Sequence, residues 1–292
     1  MRVLTLFTLL VLGALLLSAL INYPLYLLVG ESINAGPNKL INTTGKLLAI
    51  PGFILIIRYL SIADKQGLGY ALPRPEFIRE LLRGWLSGLV ILLVLSIALV
   101  ALGIRIFKPV PEELVTLLLK TAVTALIAGL LIGFIEETFF RGGLFTALRK
   151  RHTFISTMLL SSLLYAAMHF IDPPALPQGE AIVWNSGLQI LAGTFDQFLE
   201  WRTYDSFLAL FVLGMFFALV RERTGNIAYC IGLHAAFVFI IKMTRKFTLV
   251  DDLNPVSFLV GYYDGMIGYL SAAGLLIHLL LAYRFWRRPA TA

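Results

Sequence analysis

About eight apolar stretches, each long enough to cross a bilayer, take up most of this chain. They fall at roughly residues 3–29, 40–60, 84–104, 114–140, 154–171, 204–220, 226–242 and 265–286, where a spanning helix needs about 20 apolar residues. Lipid offers backbone N–H and C=O groups no partners, so single spans of this kind must be helical. Only 14% of the 292 residues are charged and 59% are hydrophobic, above the roughly 45–50% apolar content of soluble domains. The expected fold class is all-α, a polytopic membrane protein of about eight transmembrane helices. The length leaves little room for a soluble domain, so residues 1–292 read as a single integral membrane domain.

The first window begins after one Arg and has the outline of a signal peptide. Its apolar run continues through "INYPLYLLV" without a small-residue cleavage site, so a retained first helix is expected. The longest connection runs from Asp172 to Arg202. It opens with "DPPALP", which cannot be regular helix, and continues with "AIVWNSGLQILAGTF", too short and polar for a span and suited to the interface or a re-entrant turn. The net charge of +7 is spread over loop ends and forms no basic face, which argues against a nucleic-acid partner. With eight spans, the larger share of Lys and Arg falls on the side of the two termini, including Arg74, Arg79, Arg83, Arg149, Arg151, Arg287 and Arg288. Both termini are therefore expected in the cytoplasm. The single Cys230 allows no intramolecular disulfide and no Cys-rich metal site.

Against this background "GFIEETFFRGG", residues 133–143, stands out. A charge at the bilayer centre costs on the order of 2.5–3.5 kcal/mol on insertion scales. Glu137 and Arg141 are four apart on one helical face, in the favoured order. Glu136 lies about 100° around the helix, with Phe140 as its four-residue neighbour, and requires a partner from elsewhere. A helix end at headgroup level is the plainer reading, but the chain stays apolar on both sides of the charges.

Two later spans offer such partners: His169 in "SSLLYAAMHFI", with Tyr165 one turn earlier, and His234 in "NIAYCIGLHAAFVFI". Each histidine alone also reads as a packing residue. His152, beside "LRKR", and His278, with no polar neighbours, read as structural. A carboxylate and two imidazoles in a low-dielectric cavity can activate water and steady an oxyanion, which suits amide hydrolysis. No G-x-S-x-G elbow is present. The same three groups could ligate zinc, although no H-E-x-x-H spacing marks a metal site.

"EETFFR", "YAAMH" and "GLHAAFV" together resemble the motifs of the CAAX-processing and bacteriocin-processing family of intramembrane glutamic endopeptidases, within a core at residues 114–242. The resemblance implies helices enclosing an intramembrane catalytic cavity. It implies Glu136 as general base, His169 as its aid in activating water and His234 at the oxyanion site, with Glu137, Arg141 and Tyr165 in support. Tyr165 stands where the motif has Phe. Val238 stands where many members have Asn, and Asn226, two turns from His234, is a possible substitute. No cofactor is expected, with zinc as the alternative. The expected partners are the lipid bilayer and a peptide or membrane-protein substrate, and the expected location is the bacterial inner membrane. A proton-coupled transporter or a catalytically impaired scaffold would use the same residues differently.

Overall fold

The computed structural model describes residues 2–285 except 31, 34, 110 and 111. Arg287, Arg288 and the final residue of the last window lie outside the described residues. The principal helices are α1 (Arg2–Leu20), α2 (Pro37–Tyr59), α3 (Arg74–Ala101), α4 (Leu114–Glu137), α5 (Phe154–Met168), α6 (Ser186–Gly193), α7 (Tyr204–Thr224), α8 (Ala228–Phe247) and α9 (Tyr269–Phe285). Among the described residues, six are long and apolar enough to cross a membrane: α1, α2, α3, α4 with its continuation to Arg149, α7 and α8. The shorter α5 and α9 are also apolar. The protein is an all-α membrane protein, with a helix in each apolar window.

The ends of the windows differ from the helices for physical reasons. The first window breaks after Leu20, because Pro24 has no N–H for the Leu20 carbonyl. A short helical turn, Asn22–Leu25, and a π-helical stretch, Tyr26–Gly30, follow. The seventh window stops at residue 242, yet α8 continues to Phe247 with Arg245 and Lys246 in its last turn. Cations there complement the negative end of the helix dipole, so the helix outlasts its apolar pattern. The 172–202 connection carries only the eight-residue α6, too short to span.

The chain forms two compact units, residues 1–63 with 166–201 and residues 64–165 with 202–292. In the first, α1 packs along α2 and α6 packs against both, around Leu15, Ala19, Ile41 and Ile190. Two buried polar side chains there bond across to α2: Ser18 Oγ donates to the Ile41 carbonyl and Asn22 Nδ2 to that of Pro37, each at 2.9 Å.

In the second unit α8 packs on α3 and α4, close enough for backbone to meet backbone. A Cβ at Gly88 would stand 2.9 Å from the Leu233 carbonyl oxygen, and one at Gly129 would stand 2.5 Å from that of Ala235. Small residues permit such an approach between membrane helices, where apolar burial supplies no driving force. At Gly133 a Cβ would come within 3.3 Å of His234 Cβ, so the contact brings His234 alongside the turn that leads into Glu136 and Glu137. Beyond the helix ends, β1 (Arg105–Phe107) and β2 (Thr248–Val250) pair antiparallel, Arg105 opposite Val250. Overpacking a close contact typically costs about 1–3 kcal/mol. Gly129→Leu should therefore lower the thermal midpoint in detergent, and an unchanged midpoint would contradict the α4–α8 approach.

Candidate active site

The helix bearing the charges does not end at them. It passes from α4 into a π-helical turn, Thr138–Leu144, and then a last α-helical turn, Phe145–Arg149. The Phe145 N–H donates to the carbonyl of Phe140, five residues back. Single π-turns of this kind recur at functional sites because they redirect side chains within a continuous helix.

The two adjacent glutamates have different surroundings. The Glu137 side chain is fully buried, whereas that of Glu136 is 30% exposed. Glu137 Oε1 accepts from Arg141 Nη1 at 3.2 Å, the pairing that four-residue spacing predicts. It is also 2.9 Å from His234 Nδ1. With Glu137 ionised opposite Arg141, that ring nitrogen must carry the proton and donate. The other, Nε2, lies 3.9 Å from Glu136 Oε2, beyond hydrogen-bond reach. His234 thus faces both glutamates and bonds the one that helical spacing had assigned to Arg141 alone.

Arg141 is held from several sides. Its Nη2 donates to the Gly214 carbonyl at 3.3 Å. Its guanidinium carbon lies 4.4 Å from the Tyr165 ring centroid and 4.8 Å from that of Phe217, a cation–π setting. Phe217 also stacks on His234, with centroids 5.8 Å apart. Arg221 is buried and donates from Nε to the Arg141 carbonyl at 3.2 Å. The apolar pattern of α7 gave Phe217 no functional signal. Arg221 and Arg223 share the last turn of α7, where basic residues are ordinary, so spacing does not single out the buried one.

Glu136, Glu137, Arg141, Tyr165 and His234 all belong to the second unit; His169 belongs to the first. His169 is half-buried and directly follows α5, its backbone N–H bonding the Ala166 carbonyl at 3.1 Å. Asn226 is committed locally: Nδ2 donates to the Thr224 carbonyl and Oδ1 accepts from the Ala228 N–H, each at 3.0 Å. It thus satisfies a backbone N–H at the start of α8. Val238, half-buried, follows His234 by one turn of α8. Cys230 is fully buried, with Sγ 3.6 Å from the Phe217 carbonyl. His278 is exposed, with Nδ1 bonded to the Gly274 carbonyl at 2.8 Å. Half-buried His152 accepts through its carbonyl from Arg149 Nη1 at 3.2 Å.

Residues 118–240 match the family model for type II CAAX prenyl endopeptidases, Rce1-like. The match takes in Glu136, Glu137, Arg141, Tyr165, His169 and His234. No curated protein and no solved structure matches the chain.

Proposed function

We propose that this chain, whose residues 118–240 match the family model for type II CAAX prenyl endopeptidases, cleaves peptide bonds of membrane-associated substrates with a water activated by Glu136. The observation that carries this reading is the buried chain Arg141–Glu137–His234, which leads to the more accessible Glu136. Glu137 holds the Nδ1 proton of His234 and so aims Nε2 towards the Glu136 side. The Glu136 carboxylate takes a proton from water as the water oxygen attacks the scissile carbonyl carbon. It returns that proton to the amine nitrogen as the C–N bond breaks. As an imidazolium, His234 donates from Nδ1 to Glu137 and from Nε2 to the oxyanion formed in between. General-base help is worth about 10²–10⁴-fold, and one oxyanion donor about 10²–10³-fold. The part of His169 in activating water rests on the family resemblance alone.

This reaction needs no metal. The test is incubation of the purified full chain, in lipid nanodiscs, with a library of membrane-protein-derived peptides, with and without a strong zinc chelator. Cleavage that persists in chelator is expected. Stoichiometric zinc with chelator-sensitive cleavage would replace the glutamate mechanism by a zinc one, and a library left intact would overturn the enzyme reading.

A further inference from the structure

Ahead of α3, residues 64–70 form a tight turn in which the Gly67 N–H bonds Asp64 Oδ1 at 2.8 Å and the Tyr70 N–H bonds the Lys65 carbonyl at 2.6 Å. The turn touches both halves of the candidate site. The Gly69 carbonyl accepts from the Ile227 N–H at 3.1 Å, satisfying a free donor just before α8. Gly69 has φ +81°, and a Cβ there would stand 3.1 Å from the Arg221 guanidinium. Glycine suits that left-handed, crowded position. The Leu68 carbonyl lies 3.1 Å from where a Gly142 Cβ would be, against the π-turn itself. Tyr70 completes the contact: its ring stacks on Phe77 and tilts over Phe134, and its hydroxyl is 2.5 Å from Thr138 Oγ1.

The direction of that last bond follows from proton counting. Thr138 Oγ1 gives its one proton to the Phe134 carbonyl at 2.6 Å, so the Tyr70 O–H is the donor. Burial raises the Tyr70 phenol above its ordinary range, the Thr138 bond offsets part of the rise and the Glu137 carboxylate adds to it. The phenol therefore stays protonated and able to donate. Thr138 follows Glu137 directly and is the first residue of the π-turn.

We propose that Tyr70 is a positioning residue, which through Thr138 fixes the start of the π-turn and so holds the Glu137 carboxylate in line with His234. Because the same turn of chain also holds the start of α8, it sets Glu137 and His234 relative to each other. The proposal rests on the reading of Glu136 and His234 as reacting groups, but its structural half is measurable without activity.

The full chain, labelled with ¹⁵N-histidine, is compared as wild type, Tyr70→Phe, Thr138→Val, Thr138→Ser and Tyr70→Phe/Thr138→Val. A Ser87→Ala control removes a bond of like chemistry between α3 and α8, Ser87 Oγ to the Tyr229 hydroxyl at 2.7 Å. The His234 ring ¹⁵N shifts report the Nδ1 bond. They should move in Tyr70→Phe and Thr138→Val, return in Thr138→Ser and stay fixed in the control. Misplacing a reacting group by about 1 Å can lose 10²-fold in rate, so kcat should fall roughly 10- to 100-fold at constant KM. The double variant should lose no more than either single one, as two ends of one interaction do. Folded Tyr70→Phe with wild-type His234 shifts overturns the proposal, and so does a change confined to the melting temperature. Absence of cleavage in the wild type would count against the proposed function alone, since the ring shifts still decide the role of Tyr70.

Discussion

Glu136→Gln should remove cleavage while leaving the protein as stable as wild type. Gln keeps the size of the side chain and its hydrogen-bonding oxygen, but cannot take a proton from water, so the full general-base contribution of about 10²–10⁴-fold is at stake. The unchanged stability follows from shape and position: Gln occupies the same space, and the Glu136 side chain is 30% exposed. The measurement is single-turnover cleavage beside a thermal melt in the same lipid. Wild-type turnover in Glu136→Gln would refute the water-activating role.

Arg141→Met should do the reverse of this and damage the fold first. It removes the partner of a fully buried carboxylate, Glu137, together with a bond to the Gly214 carbonyl and the cation held between Tyr165 and Phe217. Stranding one member of a buried pair costs about 3–5 kcal/mol, whereas replacing both with apolar groups of similar volume costs far less. Glu137→Leu/Arg141→Met should therefore recover much of the lost stability without recovering activity, because His234 then lacks the acceptor that holds its Nδ1 proton. Equilibrium unfolding in mixed micelles gives both numbers. An Arg141→Met protein within about 1 kcal/mol of wild type would mean that the ion pair is not buried as described.

The bilayer explains why so much of the architecture is legible in the sequence. Span length is fixed by membrane thickness, so apolar windows convert directly into helices, as at α7. Where a helix outruns its apolar pattern, as α8 does through Lys242, Arg245 and Lys246, hydropathy gives no warning. The Glu137–Arg141 bond follows from helical periodicity because it lies within one element. The bond from Glu137 to His234 does not, since it depends on how α8 is turned against α4, and that is set by backbone contact at Gly129 and Gly133. Tyr70 escaped notice for the same reason. An aromatic in a short polar connection carries no mark of the hydroxyl it will meet 68 residues further on.

The π-turn at Thr138–Leu144 divides one helix into two angular phases. Each residue of an α-helix advances the face by about 100°, and a π-turn behaves as one residue added to that count. Side chains before it, such as Glu137, and after it, such as Arg149, which forks onto Glu222, are therefore aimed by different clocks. A one-residue deletion at Gly142 or Gly143 would leave every charged letter of the motif in place and rotate the two ends out of step. For this segment, spacing in the chain is as much a part of the site as the residues themselves.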